Sequence, residues 1–185
     1  IKKYKKKNLV VSIIGMGYVG LPLSLLFAKN NIKTFGIDID QTKTNSLLNG
    51  ESYIQHVTNS SIKKVVDEKL LVPTFDLSNV EKSDAIILCL PTPLNKFREP
   101  NLSFLKDTLK NIKDFLREGQ LISLESTTYP GTTEDFFLPL IKEKKFNLGE
   151  DFFVTYSPER EDPGNTIYSA ENIPKVVGGL SKNCL

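Results

Sequence analysis

Short apolar runs alternate along this chain with segments whose apolar residues recur at helical spacing. The apolar runs indicate strands, and the helical spacing indicates helices that bury one face. The runs predict strands over residues 8–14, 33–38, 71–75, 84–90, 120–124, 151–155 and 175–177. The helical spacing predicts helices over residues 18–29, from 40 towards 48, through the stripe Ile62, Val65, Val66 and Leu70, through the stripe Leu105, Leu109, Ile112 and Leu116, and from about 132 with a bend near Pro139.

The order of these elements predicts the fold class. Strands that alternate with helices through short connections form a parallel sheet with right-handed crossovers. The run 84–90 is almost continuously apolar, as expected for a parallel strand that is covered on both faces. The chain is therefore predicted to be a doubly wound α/β domain, a Rossmann-like parallel sheet with helices on both faces.

A glycine-rich turn joins the first predicted strand to the first predicted helix. Gly15, Gly17 and Gly20 form the pattern G-x-G-x-x-G, with Tyr18 and Val19 between the last two glycines. Gly15 allows the tight turn, Gly17 lets the backbone approach a pyrophosphate, and Gly20 lets the helix pack against its strand. Phosphates are expected at the helix N-terminus, where free N–H groups favour negative charge. Strand, turn, helix, second strand and a terminal acid occur in order, which predicts a dinucleotide-binding site.

Asp38, at the end of the second predicted strand, is the terminal acid of this pattern. We expect its carboxylate to accept hydrogen bonds from the adenosine ribose hydroxyls and to repel a 2′-phosphate, which favours NAD over NADP. As an alternative, Asp38 caps the next helix, although Asp40 is better placed for that role. Lys43, one turn into that helix, either reaches the adenosine ribose or is solvated.

Three further polar clusters follow predicted strands, and ligands of such folds bind at the carboxyl ends of the strands. The clusters are 91–93, 126–128 and 156–161. Pro91 either fixes a wall beside a cofactor ring or only ends a strand. Thr92 and Thr127 either place hydroxyls where cofactor and substrate meet or form turns. Glu159 is either part of a surface strip of ion pairs or a carboxylate placed as a general base. We expect all the clusters to gather at one edge of the sheet.

Composition narrows the class of partner. The chain has 185 residues, of which 39% are hydrophobic and 25% charged, as in an ordinary globular domain. Its formal net charge of +2 argues against nucleic acid, and the lysine cluster within residues 2–7 is interpreted as a solvated tail. No apolar run approaches 18 residues and no signal-peptide pattern is present, which predicts a cytoplasmic protein with no membrane contact. Cys89 and Cys184 suit a reducing compartment, and neither has metal-ligand spacing to another Cys or His, so no metal is expected.

Four stretches together resemble the nucleotide-sugar 6-dehydrogenases, a family that includes UDP-glucose and UDP-N-acetylhexosamine dehydrogenases. The stretches are 11–23, 90–94, 125–134 and 156–165. The last is most similar to the UDP-N-acetyl-D-glucosamine 6-dehydrogenase branch, because Pro158-Glu159 does not continue into the Phe-Leu-Arg-Glu-Gly that is usual in UDP-glucose enzymes.

The resemblance implies an NAD-dependent oxidation of the C6 primary alcohol of a UDP-sugar to a carboxylate, in two hydride-transfer steps, for surface polysaccharide precursors. UDP-N-acetylglucosamine is the favoured substrate, and UDP-glucose and UDP-N-acetylmannosamine are the alternatives. A non-catalytic NAD-sensing module is the alternative class. By motif match, Thr127 and Glu159 are implied as catalytic residues, with Glu159 as the acid/base that handles water. The implied cofactor-binding residues are Gly15, Gly17, Tyr18, Val19, Gly20, Asp38, Lys43, Pro91, Thr92 and Thr127.

The resemblance also bears on domain organisation. Neither Cys89 nor Cys184 matches the family's nucleophilic cysteine, which belongs to a helical central domain. We therefore expect residues 1–185 to be the N-terminal NAD-binding domain of a longer enzyme whose central and UDP-binding C-terminal domains lie outside this chain. The domain alone is expected to be inactive, and the full-length protein to form a homodimer or a larger homo-oligomer.

Overall fold

A seven-stranded sheet forms the centre of the computed structural model, which describes residues 8–158 and 173–185. Its strands are β1 (Val10–Ile14), β2 (Lys33–Ile37), β3 (Leu71–Thr74), β4 (Ala85–Leu88), β5 (Gln120–Leu124), β6 (Phe152–Tyr156) and β7 (Gly178–Gly179). The order across the sheet is β3-β2-β1-β4-β5-β6-β7, and the first six strands are parallel. This is the 3-2-1-4-5-6 order of Rossmann folds.

Within the described residues, five α-helices lie between the strands. They are α1 (Gly20–Lys29), α2 (Gln41–Leu48), α3 (Asn59–Asp67), α4 (Ser103–Ile112) and α5 (Thr132–Lys144). Short 3₁₀ turns occupy Leu77–Lys82, Lys113–Phe115 and Lys182–Cys184. None of these helices is long and apolar enough to cross a membrane.

The two faces of the sheet bury separate cores because side chains alternate along each strand. On β1, Val11 and Ile13 join a core that includes residues of α1, α2 and α3. Ile14 joins the other core, which includes Leu105 of α4 and Phe137 of α5. Helices therefore cover both faces, which confirms the predicted doubly wound fold.

The parallel strands end in one row. Ile14 pairs with Ile37 on one side and Leu88 on the other, and Leu88 pairs with Leu124. The residue after each strand continues the ladder: Gly15 donates to Ile37, Cys89 to Ile14, Glu125 to Leu88 and Ser157 to Leu124, at 2.8–3.0 Å. The loops after β1, β2, β4, β5 and β6 therefore leave the sheet at the same edge.

Local signals fix several element boundaries. The Asp40 carboxylate accepts a hydrogen bond from the Thr42 N–H at 2.9 Å and caps α2, as its position in the sequence predicts. Gly50 follows the end of α2 with a φ of 75°, a conformation that glycine adopts without strain. Thr58 caps α3 through the N–H of Ser61.

Four details of the predicted elements were wrong. Residues 175–177 are not a strand; the last strand is β7, and it pairs antiparallel with β6. Leu70 lies beyond the end of α3, and Leu116 lies beyond α4 although it is buried in the core. Tyr18 precedes α1, which begins at Gly20. The lysine cluster within residues 2–7 and Glu159 lie outside the described residues.

Candidate functional site

A cleft of about 750 Å³ opens at the carboxyl edge of the sheet. This volume is typical of a ligand-binding site. Its walls come from the turns after β1, β2, β4 and β5 and from one face of α4. Every sequence-predicted cofactor residue except Gly20 lines it, namely Gly15, Gly17, Tyr18, Val19, Asp38, Lys43, Pro91, Thr92 and Thr127.

The three glycines of the turn meet different surroundings. Gly15 has a φ of 98°, and a Cβ there would lie 2.3 Å from the carbonyl oxygen of Cys89. A Cβ on Gly20 would lie 1.8 Å from the carbonyl oxygen of Gly15, so only glycine lets α1 begin this close to the turn. A Cβ on Gly17 would meet no protein atom within 4 Å, because this residue faces the open cleft.

Asp38 is buried behind the turn, with only 7% of its surface exposed. Its Oδ2 accepts a hydrogen bond from the N–H of Met16 at 2.8 Å, and its Oδ1 accepts one from the N–H of Asp40 at 2.9 Å. The Nζ of Lys43 lies 3.3 Å from Oδ2. Asp38 therefore does not cap α2, and Lys43 lies against the carboxylate in the cleft wall. Hydrogen bonds from the Thr42 hydroxyl and N–H lower the pKa of Asp40, the true cap.

A serine connects the turns after β4 and β5 at the other end of the cleft. The Oγ of Ser126 accepts a hydrogen bond from the N–H of Leu90 at 3.0 Å and donates one to its carbonyl oxygen at 2.8 Å. Thr127, exposed, and Thr92, half-buried, follow these positions in the cleft wall. The serine therefore holds together the two turns that carry the predicted hydroxyls.

Glu125 is a cleft residue that the sequence analysis did not select. It is 7% exposed, lines the cleft, and accepts a hydrogen bond from the Ser123 hydroxyl at 3.1 Å. Its Oε2 lies 2.5 Å from the Nζ of Lys175. A signal was present, since Glu125 is the first residue after an apolar strand at the expected edge.

One face of α4 forms another part of the wall that the sequence analysis missed. Phe104, Asp107, Thr108 and Asn111 line the cleft, while Leu105 and Leu109 of the same helix are buried in the core. Asp107, Thr108 and Asn111 recur at helical spacing, so a polar stripe beside the apolar one was the available signal.

Cys89 falls within the predicted strand 84–90, but β4 ends at Leu88, one residue earlier. It is half-buried and lines the cleft, because it follows the last residue of β4 at the carboxyl edge. Cys184 is buried, and its Sγ lies 3.5 Å from the backbone nitrogen of Val154. In the described part of the chain, no group of three or more His, Cys, Asp or Glu residues is placed to hold a metal ion.

The residues present fit a dinucleotide. Gly17 leaves room for a close backbone approach, and α1 begins with neither a side-chain cap nor an acid in its first turn. The helix N-terminus is therefore available to a diphosphate. Asp38 lines the cleft on the β2 side of this helix N-terminus, and Thr92 and Thr127 line it on the side of β4 and β5. The predicted acid/base, Glu159, stays a prediction, although Ser157 and Pro158 leave β6 at this same edge.

Comparison with known proteins gives a consistent result. Residues 9–185 match the NAD binding domain of the UDP-glucose/GDP-mannose dehydrogenase family. The chain is 36% identical over 180 residues to protein CapL of Staphylococcus aureus, covering 96% of this chain and 41% of that protein. It is 34% identical over 174 residues to the UDP-N-acetyl-D-glucosamine 6-dehydrogenase of Pseudomonas aeruginosa, covering 94% and 40%.

Solved structures agree. The UDP-N-acetyl-mannosamine dehydrogenase Cap5O from Staphylococcus aureus superposes with a TM-score of 0.86 at 32% identity, over 95% of this chain and 42% of that one. The chain thus spans about two fifths of the length of the relatives that it matches.

Proposed function

Because this chain belongs to the UDP-glucose/GDP-mannose dehydrogenase family and forms its NAD-binding domain, we propose that it carries the cofactor site of a nucleotide-sugar 6-dehydrogenase. The reaction is the oxidation of the C6 primary alcohol of a UDP-sugar to a carboxylate, in two hydride-transfer steps with consumption of water. The observation that carries the proposal is a single cleft with the glycine turn and Asp38 towards β2 and the Thr92 and Thr127 turns towards β5.

The chain's residues divide between binding and orientation. The turn from Gly15 to Gly20 receives the diphosphate, and Asp38 with Lys43 receives the adenosine ribose. NAD supplies the hydride acceptor for C6 when it is bound. Thr127, with Thr92 and Pro91, orients the reacting end in the wall that Ser126 holds together. Glu159 is assigned as the acid/base that handles water.

For the sugar, we propose a UDP-N-acetylhexosamine, with UDP-N-acetylglucosamine favoured. Support comes from the 34% identity to a UDP-N-acetyl-D-glucosamine 6-dehydrogenase. UDP-N-acetylmannosamine is the second candidate, since a dehydrogenase named for that sugar is 33% identical over 183 residues. UDP-glucose is the third.

The remaining proposals concern the whole protein. Because the chain spans about two fifths of its relatives, we propose that it is the N-terminal domain of a longer enzyme and that the sugar site needs the rest. That enzyme is proposed to be a cytoplasmic homodimer or larger homo-oligomer.

Two assays test the proposal. The 185-residue chain should bind NAD in a calorimetric titration but should form no NADH with any of the three UDP-sugars. The full-length protein should form two NADH per sugar, fastest with UDP-N-acetylglucosamine. NADH production by the chain alone would contradict the domain assignment, and a faster rate with another sugar would contradict the substrate.

An NAD-sensing module without chemistry is the competing class, and Glu159 separates the two. In the full-length protein, Glu159→Gln should lower kcat by about 10²–10⁴-fold, the usual contribution of a general acid/base. The affinity for NAD should stay the same. A sensor would show no turnover in the parent protein and no change in the variant.

A further inference from the structure

Tyr53 contacts the glycine turn from outside the cleft. Its hydroxyl donates a hydrogen bond to the carbonyl oxygen of Met16 at 2.6 Å, although 37 residues separate the two. Tyr53 lies between α2 and α3, and its ring packs against the core on that face. Its neighbour Ile54 is buried, and Ser52 bonds to both the N–H and the carbonyl oxygen of Ile54. The hydroxyl is therefore presented by a well-fixed segment.

Met16 is held at three points. The Asp38 carboxylate accepts its N–H, and the Tyr53 hydroxyl donates to its carbonyl oxygen. Its side chain is fully buried, with Sδ 3.5 Å from the Ser24 hydroxyl and the methyl end packed against Gly36. The peptide planes before and after Met16 are thus both anchored on the protein side of the turn.

The second of these planes matters for binding. A trans peptide is planar, so its C=O and its N–H point in opposite directions. The carbonyl oxygen of Met16 points to Tyr53, and the N–H of Gly17 belongs to the same peptide. No described residue accepts a backbone hydrogen bond from the N–H of Gly17, and the residue borders the open cleft.

We propose that Tyr53 is a positioning residue for the diphosphate site: its hydroxyl fixes the Met16–Gly17 peptide so that the N–H of Gly17 faces the bound diphosphate. This inference rests on the assignment of the glycine turn as the diphosphate site. The role requires a protonated hydroxyl, and burial, with the nearby carboxylates of Asp38 and Asp40, raises the pKa of Tyr53 well above its ordinary value. The hydroxyl therefore remains a donor at neutral pH.

The test compares ligands with and without phosphate. Tyr53→Phe keeps the ring and removes only the hydrogen bond. Calorimetry on the 185-residue chain should show NAD and ADP binding about three- to tenfold more weakly, the usual effect of one neutral hydrogen bond. Binding of adenosine, which has no phosphate, should be unchanged. Tyr129→Phe, which removes a hydroxyl from an exposed residue outside the cleft lining, is the control and should bind all three ligands like the parent.

Each outcome has a defined meaning. Equal losses for adenosine and ADP, or no loss for either, would refute the role of Tyr53. Failure of the unmodified chain to bind NAD would instead refute the cofactor assignment. If Tyr53→Phe does not fold, an NMR titration of the unmodified chain with ADP replaces it. The Gly17 amide should shift strongly, and a Gly17 amide that does not respond while Tyr18 and Val19 do would overturn the inference.

Discussion

The carboxylate of Glu125 and the ammonium group of Lys175 lie 2.5 Å apart although 50 residues separate them. Glu125 follows β5, and Lys175 lies three residues before β7. The carboxylate side chain is 8% exposed and the lysine side chain 27%. This ion pair therefore fixes the segment that enters the last strand to the floor of the cleft, close to Thr127.

Replacement of Lys175 should lower the free energy of unfolding more than neutralisation of Glu125 does. Among the described residues, Lys175→Met leaves the buried carboxylate with the Ser123 hydroxyl as its one side-chain donor, which costs about 1–3 kcal/mol of unfolding free energy. Glu125→Gln keeps an oxygen acceptor beside Lys175, and the lysine side chain is more exposed to water than the carboxylate was. The cost of this change in unfolding free energy should therefore be smaller. Urea unfolding of the 185-residue chain measures both.

The double variant completes this experiment. If the pair is coupled, Glu125→Gln combined with Lys175→Met should cost less than the sum of the two single changes. The exposed pair Lys63–Asp67 is the control, since its removal should change stability by less than about 1 kcal/mol. Strict additivity at Glu125 and Lys175 would show that the contact contributes nothing.

Asp38 should set the preference between NAD and NADP. We propose that its buried carboxylate faces the adenosine ribose, where it would repel a 2′-phosphate, so the parent chain should bind NAD more tightly. Asp38→Asn removes the charge and should weaken NAD binding by about tenfold or more, since hydrogen bonds to charged groups are the stronger ones. The ratio of NADP to NAD affinity should rise.

Asp76→Asn is the matched control for that change. Like Asp38, Asp76 follows a strand. Asp76 caps a helical turn and does not line the cleft. Calorimetric titrations should show its affinities for both dinucleotides unchanged. Equal affinity of the parent chain for NAD and NADP would contradict the role given to Asp38.

Substitutions at two glycines of the turn should have different effects, one on folding and the other on NAD binding. Gly20→Ala places a methyl group 1.8 Å from a backbone oxygen and should destabilise the chain by about 3 kcal/mol. Gly17→Ala meets open space and should change stability by less than about 0.5 kcal/mol. In the proposed binding mode the methyl group of Gly17→Ala would take the space of the diphosphate, so NAD should bind about tenfold or more weakly. Thermal unfolding and calorimetry of the two variants check this, and a stable Gly17→Ala chain with normal affinity would exclude the proposed phosphate site.

The cap of α2 should give a pH-dependent contribution to stability. The pKa of Asp40 in the folded chain lies below its ordinary value of 3.8, because the Thr42 hydroxyl and N–H bond to the carboxylate. Its stabilisation is therefore fully present above that ordinary value and is lost as the pH falls through the lowered one. Urea midpoints of the parent and of Asp40→Ala, without ligand, should differ at pH 7 and converge in acid. A constant difference across this range would show that the charge of Asp40 plays no part.

Much of the cleft could be predicted because its signals are local. The glycine spacing, the acid after β2 and the cap at Asp40 each depend on neighbouring residues and the backbone conformation that they allow. The contribution of α4 was missed because Asp107, Thr108 and Asn111 are ordinary polar residues of a helix surface. Only their position opposite the glycine turn makes them cleft residues.

Local sequence patterns were enough to predict the alternation of strands and helices, the two covered faces of the sheet and the turn that defines the cofactor class. These follow from hydrophobic periodicity and from steric limits on glycine, which act over a few residues. Only the folded chain shows that β7 runs antiparallel, that Lys175 contacts Glu125, and that the Tyr53 hydroxyl reaches Met16. Such contacts join residues 37 or 50 positions apart, and the sheet order that brings them together leaves no trace in either local segment.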